Sequence, residues 1–142
     1  GALTEIRSGT CIFYDVEDLH IGVAHSNEVA YSVVSSVVST SIPGQAVIDA
    51  GSKALSKESR GSDGAFGVIL EHPEVRVKAV TEEHGVIDLS DSKWQPRVGE
   101  TVRVLPSHVC VSANLQDSLI VMDGDDIEEW EMEARGRKIF EV

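Results

Sequence analysis

The chain has 142 residues and a mass of 15.3 kDa, 42% hydrophobic and 25% charged, the profile of one globular domain that buries about two-thirds of its unfolded surface. Acidic residues outnumber basic ones 24 to 12, so the net charge is −12 and the pI about 4.7; such a surface repels nucleic acid and anionic membranes, and neither is expected as a partner. No apolar run reaches the ~20 residues of a membrane span. The start of the chain lacks the charged and apolar regions of a signal peptide. Two distant cysteines, Cys11 and Cys110, permit a disulfide but do not spell a disulfide framework, so a reduced, cytoplasmic protein is expected.

Taken in order, the segments read as short β-strands. Residues 10–14 (TCIFY) form a β-branched and aromatic run between Gly9 and Asp15. Residues 29–42 are rich in Val, Ser and Thr, disfavour a helix and stop at Pro43-Gly44. Residues 46–49 (AVID) are a short apolar strand before Gly51. Residues 65–71 and 75–80 flank His72-Pro73, and in the second of these Val75, Val77 and Ala79 alternate with Arg76 and Lys78. Strands follow at 85–89, 101–105 and 109–111. Residues 119–122 and 127–134 flank Asp123-Gly124, a hairpin signal. Only 52–57 and 114–118 read as single helical turns. The expected fold is all-β and mainly antiparallel, barrel-like or sandwich-like, with at most two short helices, in a single domain over residues 1–142.

The chemistry concentrates at Leu105-Pro106-Ser107-His108-Val109-Cys110. On an extended backbone, residues two apart share a face, so His108 and Cys110 would present an imidazole and a thiol together. Both are zinc ligands, the thiol as thiolate. The competing reading is a buried Cys acting as a small hydrophobe beside a hydrogen-bonded His. A nucleophile–base pair is the weaker idea, because no third group orients it. His20, His25 and His72 lie in polar or turn contexts. Asp49-Ala50-Gly51-Ser52-Lys53 lacks the multi-glycine spacing of a phosphate loop. The acidic stretch 123–133 lacks EF-hand spacing, and Trp94 and Trp130 read as packing anchors.

Several longer segments carry a family resemblance. They are residues 4–15 (TEIRSGTCIFYD), 47–56 (VIDAGSKALS), Glu82-Glu83-His84-Gly85, Val98-Gly99-Glu100, Pro106-Ser107-His108-Val109-Cys110, Asn114-Leu115 and 130–137 (WEMEARGR). In this order they resemble the C-terminal part of the D-serine dehydratase and D-threonine aldolase family, over nearly the whole chain. Ser8 and Cys11 depart from the Pro and Tyr of that pattern.

The resemblance implies a β domain of a fold-type III pyridoxal-phosphate enzyme, preceded in such enzymes by an alanine-racemase-like barrel. That barrel carries the Schiff-base lysine and the phosphate site, and Lys53, Lys57, Lys78, Lys93 and Lys138 match no cofactor-lysine context. The chain is therefore expected to be the metal-bearing half of such an enzyme and to be inactive alone. His108 and Cys110 are implied as ligands of a divalent ion, zinc by the thiolate's preference, with His84 either at the mouth of the same site or in a structural hydrogen-bonding role. The intact enzyme would act on a D-3-hydroxy amino acid by elimination or by aldol-type cleavage, as a homodimer. A non-catalytic β domain serving assembly or ligand binding is the alternative.

Overall fold

The computed structural model describes residues 3–6, 8–60, 64–133 and 135. Six strands, β1 (Val33–Ser39), β2 (Gln45–Ile48), β3 (Gly67–Ile69), β4 (His72–Val80), β5 (Gly85–Asp88) and β6 (Thr101–Pro106), close into a barrel in the order β1-β2-β5-β4-β3-β6. Every neighbouring pair is antiparallel, and β6 returns to pair with β1. Closure leaves none of these six strands with a free edge. Val37, Ala46, Ile48, Ile69, Val75, Val77, Ile87, Val102 and Val104 fill the interior. Full burial of each Val or Ile contributes about 1.5–3 kcal/mol, so the valine-rich composition is what the small lumen demands.

The all-β expectation holds, with differences in detail. Three short helices are described, α1 (Val16–His20), α2 (Ser52–Leu55) and α3 (Val109–Asn114), rather than two. The expected strand at 10–14 is a 3-10 turn over Thr10–Ile12; Ile12 is exposed there, and Tyr14 at φ 57° breaks any extended run. The alternation in β4 fails at Ala79, which is exposed. The pairing shifts between Val77 and Ala79, and that bulge turns the side chain outward. The hairpin is β7 (Ser118–Asp123) with β8 (Asp126–Glu131), joined across Gly124-Asp125. It is a separate two-stranded sheet, and Trp130 on it is exposed rather than a packing anchor. Trp94 does anchor. It packs half-buried on the barrel core, stacks on His72 with ring centroids 4.3 Å apart, and donates its indole N–H to Glu100.

Antiparallel closure has a consequence for function. Val33 pairs with Val104, Ile48 with Gly85, Gly85 with Val80, and Gly67 with Pro106. The start of β1, the end of β2, the start of β5, the end of β4, the start of β3 and the end of β6 therefore lie at one end of the barrel. The connections 49–66 and 81–84 and the segment after 106 emerge from that rim.

Candidate functional site

The rim gathers three segments that are distant in sequence. Gly51 makes the first join possible. A Cβ there would stand 2.4 Å from the Glu82 carbonyl oxygen and 2.5 Å from the His84 nitrogen, so only glycine lets the chain lie flat on the 81–84 turn. Two backbone bonds then stitch the segments together, Ser52 N–H to Thr81 O (2.8 Å) and Lys53 N–H to Glu82 O (3.1 Å). Lys53 pairs with Glu83 across the exposed surface, and this hydrogen bond raises the ammonium pKa above its ordinary value. A raised pKa disfavours the neutral amine that Schiff-base chemistry needs.

His84 is exposed and closes the β4–β5 turn with its backbone. Its N–H donates to Thr81 Oγ1 (3.2 Å), and its carbonyl accepts from Thr81 N–H (2.8 Å). Burial acts to raise the Asp49 pKa. The Ser35 hydroxyl and Ser36 N–H, both at 2.7 Å, outweigh it with help from the charge of His84, and hold the carboxyl below its usual range. Among the described residues no hydrogen bond links His84 to His108 or Cys110, although all three occupy this rim.

The His108–Cys110 segment is not an extended strand. β6 stops at Pro106, His108 is the N-cap of α3 at φ −140° and ψ 100°, and Cys110 lies in the first helical turn. The β-branched Val109 and Val111 mislead here because tertiary contacts outweigh propensity. Val109 and Ala113 bury against Tyr31, and Asp15 caps the Val109 N–H at 3.1 Å. Ser107, fully buried, donates its hydroxyl to Ala65 O (2.7 Å) and its N–H to Phe66 O (3.1 Å). Ser112 donates to Ala54 O (2.6 Å) and meets the Tyr31 hydroxyl at 3.1 Å, which ties α3 to α2.

Cys110 is exposed, 3.5 Å from Thr10 Oγ1, so the reading as a buried small hydrophobe does not hold. His108 keeps only 14% of its side chain exposed. Its Nδ1 bonds to Glu58 Oε2, and its Nε2 lies 3.3 Å from an Arg60 guanidinium nitrogen. Among the described residues no third His, Cys, Asp or Glu completes a metal-holding group with these two. The donors themselves suit zinc, an imidazole nitrogen and a sulfur.

Sequence reasoning missed Asp15, Glu58 and Arg60. Asp15 had a signal: it stands three residues before Asp18, and the two form a capping box at α1, the spacing such boxes use. Glu58 and Arg60 had none, because fifty residues of chain separate Glu58 from His108. Among the described residues no helix is long and apolar enough to cross a membrane.

The family model described as "Putative serine dehydratase domain" matches residues 30–122. An uncharacterized protein of Mycobacterium tuberculosis is 33% identical over 128 residues, 87% of this chain and 96% of that protein. A D-threonine aldolase of an Arthrobacter species is 31% identical over 141 residues, 96% of this chain but 35% of the enzyme. The solved D-threo-3-hydroxyaspartate dehydratase from Delftia sp. HT23 matches with a TM-score of 0.78 at 26% identity, covering 91% of this chain and 38% of that one. Solved variants of a D-threo-3-hydroxyaspartate dehydratase replace a His and, two positions on, a Cys by Ala, the Cys variant in a metal-free form. The chain thus spans about a third of the length of these enzymes and nearly all of the mycobacterial protein.

Proposed function

The chain belongs to the serine dehydratase domain family, and from that premise we propose that it is the metal-bearing C-terminal domain of a lyase acting on D-3-hydroxy amino acids. The observation that carries this reading is the convergence of residues 49–56, 82–85 and 106–110, all within the resembling segments, on one rim, with the His108 ring held there by a carboxylate and Cys110 exposed two residues on. The substituted His and Cys of the D-threo-3-hydroxyaspartate dehydratase variants are spaced as His108 and Cys110 are.

Bound zinc supplies Lewis acidity toward the substrate's 3-hydroxyl, and pyridoxal phosphate on a barrel N-terminal to this domain supplies the electron sink. The chain's own residues do the holding. His108 offers Nε2, and Cys110 offers its thiolate, a ligand that favours zinc over magnesium or manganese and with it the dehydratase branch. Ser107 and Asp15 fix the backbone on either side of His108. His84, on the same rim, stands at the mouth toward substrate. The intact enzyme is a homodimer in this reading, and it works in the cytoplasm, where the thiol stays reduced.

The test is a zinc titration of the parent chain, His108→Ala and Cys110→Ala, followed by calorimetry. Two protein donors fall short of the three or four that zinc takes, so the parent binds weakly and either substitution removes binding. Equal affinity in all three proteins overturns the metal assignment. Pyridoxal phosphate with borohydride should trap no specific lysine in this chain alone; trapping at one lysine with D-serine turnover would overturn the division of labour.

One observation favours a second reading, a β domain used for assembly or ligand binding without catalysis. The 33% identical mycobacterial protein is matched over 96% of its length, so the domain occurs elsewhere at this size. Zinc binding lost in His108→Ala speaks against that alternative.

A further inference from the structure

The two nitrogens of His108 face groups of opposite character. Nδ1 meets the Glu58 carboxylate, which can only accept. Nε2 meets the Arg60 guanidinium at 3.3 Å, which can only donate. One tautomer satisfies both: the proton sits on Nδ1 and Nε2 carries a bare lone pair. Glu58 and Arg60 also face each other at 3.9 Å, and both side chains are nearly half exposed. The pair is held from below by Ser56, a buried residue at φ +72° that ends α2 and accepts the Glu58 N–H on its hydroxyl at 3.1 Å.

We propose that Glu58 is a positioning residue that keeps His108 in the Nδ1–H tautomer, and that Arg60 occupies the metal-facing lone pair until an ion displaces it. This rests on His108 being a metal ligand. A carboxylate on the far nitrogen of a ligating imidazole fixes the ring and raises its basicity. Zinc sits about 2.0–2.1 Å from an imidazole nitrogen, so the ion and a guanidinium nitrogen at 3.3 Å cannot share one lone pair. Arg60 is free to leave because its side chain is 41% exposed and its guanidinium gains full hydration outside the site. The arrangement keeps the lone pair hydrogen-bonded without metal and lowers apparent metal affinity by the cost of that exchange.

The experiment uses the whole chain, with zinc alone as the probe. Nitrogen-15 NMR of the metal-free protein at about pH 8, above the ordinary imidazole range, reads the His108 tautomer directly. The parent should show a protonated Nδ1 and a bare Nε2. Glu58→Ala should shift His108 toward the Nε2–H form and lower zinc affinity by about 10–100-fold. Glu58→Gln keeps an acceptor oxygen and should retain the parent tautomer and most of the affinity. Arg60→Ala should raise zinc affinity about fivefold, the equivalent of one ordinary hydrogen bond removed from the competing state.

An Nε2–H tautomer in the parent, or an unchanged tautomer in Glu58→Ala, overturns the role of Glu58. Unchanged or weaker zinc binding in Arg60→Ala overturns the displacement. If Glu58→Ala does not fold, a Glu58→Gln protein that loses the parent tautomer or affinity counts against the proposal in its place. Zinc affinity unaffected by His108→Ala would sink the metal reading itself, and the tautomer spectra would still judge Glu58 separately.

Discussion

Asp15 offers the sharpest test of how the rim is held. Its carboxylate is fully buried and caps two helices at once. Oδ1 accepts from the N–H groups of Glu17 (3.0 Å) and Asp18 (3.4 Å) at the start of α1, and Oδ2 accepts from Val109 N–H (3.1 Å) at the start of α3. Asp15→Ala removes all three bonds. Losing an N-cap costs about 1 kcal/mol. Val109 is buried, so its N–H cannot turn to water, and an unsatisfied buried donor costs about 1–3 kcal/mol more. The total is about 2–4 kcal/mol, which for a domain of this size lowers Tm by about 6–15 °C. Asp15→Asn keeps one acceptor oxygen and should lose about half as much. Val109 lies between His108 and Cys110, so fraying of this turn should also weaken zinc binding. Thermal unfolding followed by circular dichroism, with a parallel zinc titration, checks both effects. An Asp15→Ala protein within about 2 °C of the parent would refute the double-cap reasoning.

Gly51→Ala forces a Cβ onto the backbone of residues 82–84; overpacking and two disturbed hydrogen bonds predict a loss of about 2–4 kcal/mol in denaturant unfolding, while Lys53→Ala, which breaks only the exposed pair with Glu83, should leave the midpoint unchanged. For Glu71, burial acts to raise the pKa but the Arg103 guanidinium and N–H lower it further, as the serine donors do for Asp49, so both carboxyls are depressed in the folded state. Depressed carboxyls stabilise above their unfolded values, near pH 4, and that stability is lost as pH falls through the folded values; Asp49→Asn should therefore flatten the acid limb of the stability curve, and a parallel limb would refute it. Burial raises the Tyr31 pKa despite the Ser112 bond, so its contribution is complete below about pH 10 and is lost as pH rises through the folded value; Tyr31→Phe should remove alkaline sensitivity there, read by unfolding between pH 9 and 11.

The antiparallel β class, barrel or sandwich, was legible because both need short strands with period-two burial, and Val102 and Val104 against Thr101 and Arg103 display that period in the sequence itself; closure into a barrel was not. The family segments were legible as well, since residue order survives without geometry. What escaped was whatever depends on contacts across the chain. Residues 109–111 have strand-like composition, yet they form a helix because Asp15, 94 positions away, supplies the cap and Tyr31 the packing surface. Ala79 breaks its pattern through a bulge that the sequence does not mark. The pairing of His108 with Glu58 and Arg60 depends on where the 49–66 connection crosses the rim, and no local pattern encodes that.

On the proposed reading, the rim also explains how so small a fold would carry half of a two-part site. Fixing His108 uses the buried Ser107 hydroxyl, the Asp15 cap and the Glu58 carboxylate, drawn from three separate stretches of chain. Cys110 receives no comparable support; its only described hydrogen-bond neighbour is the Thr10 hydroxyl at 3.5 Å. The imidazole is thus preorganised and the thiol is not. A preorganised ligand lowers the entropy cost of binding, so both donors are needed for zinc to bind, the imidazole should contribute the larger share of affinity, and the thiol should set which metal is chosen. Replacing His108 should then cost affinity for every divalent ion, whereas Cys110→Asp should mainly shift preference from zinc toward manganese, because a carboxylate suits the harder ion. Competition titrations with the two metals on both variants would show it, and an unchanged zinc-to-manganese ratio in Cys110→Asp would refute the assignment.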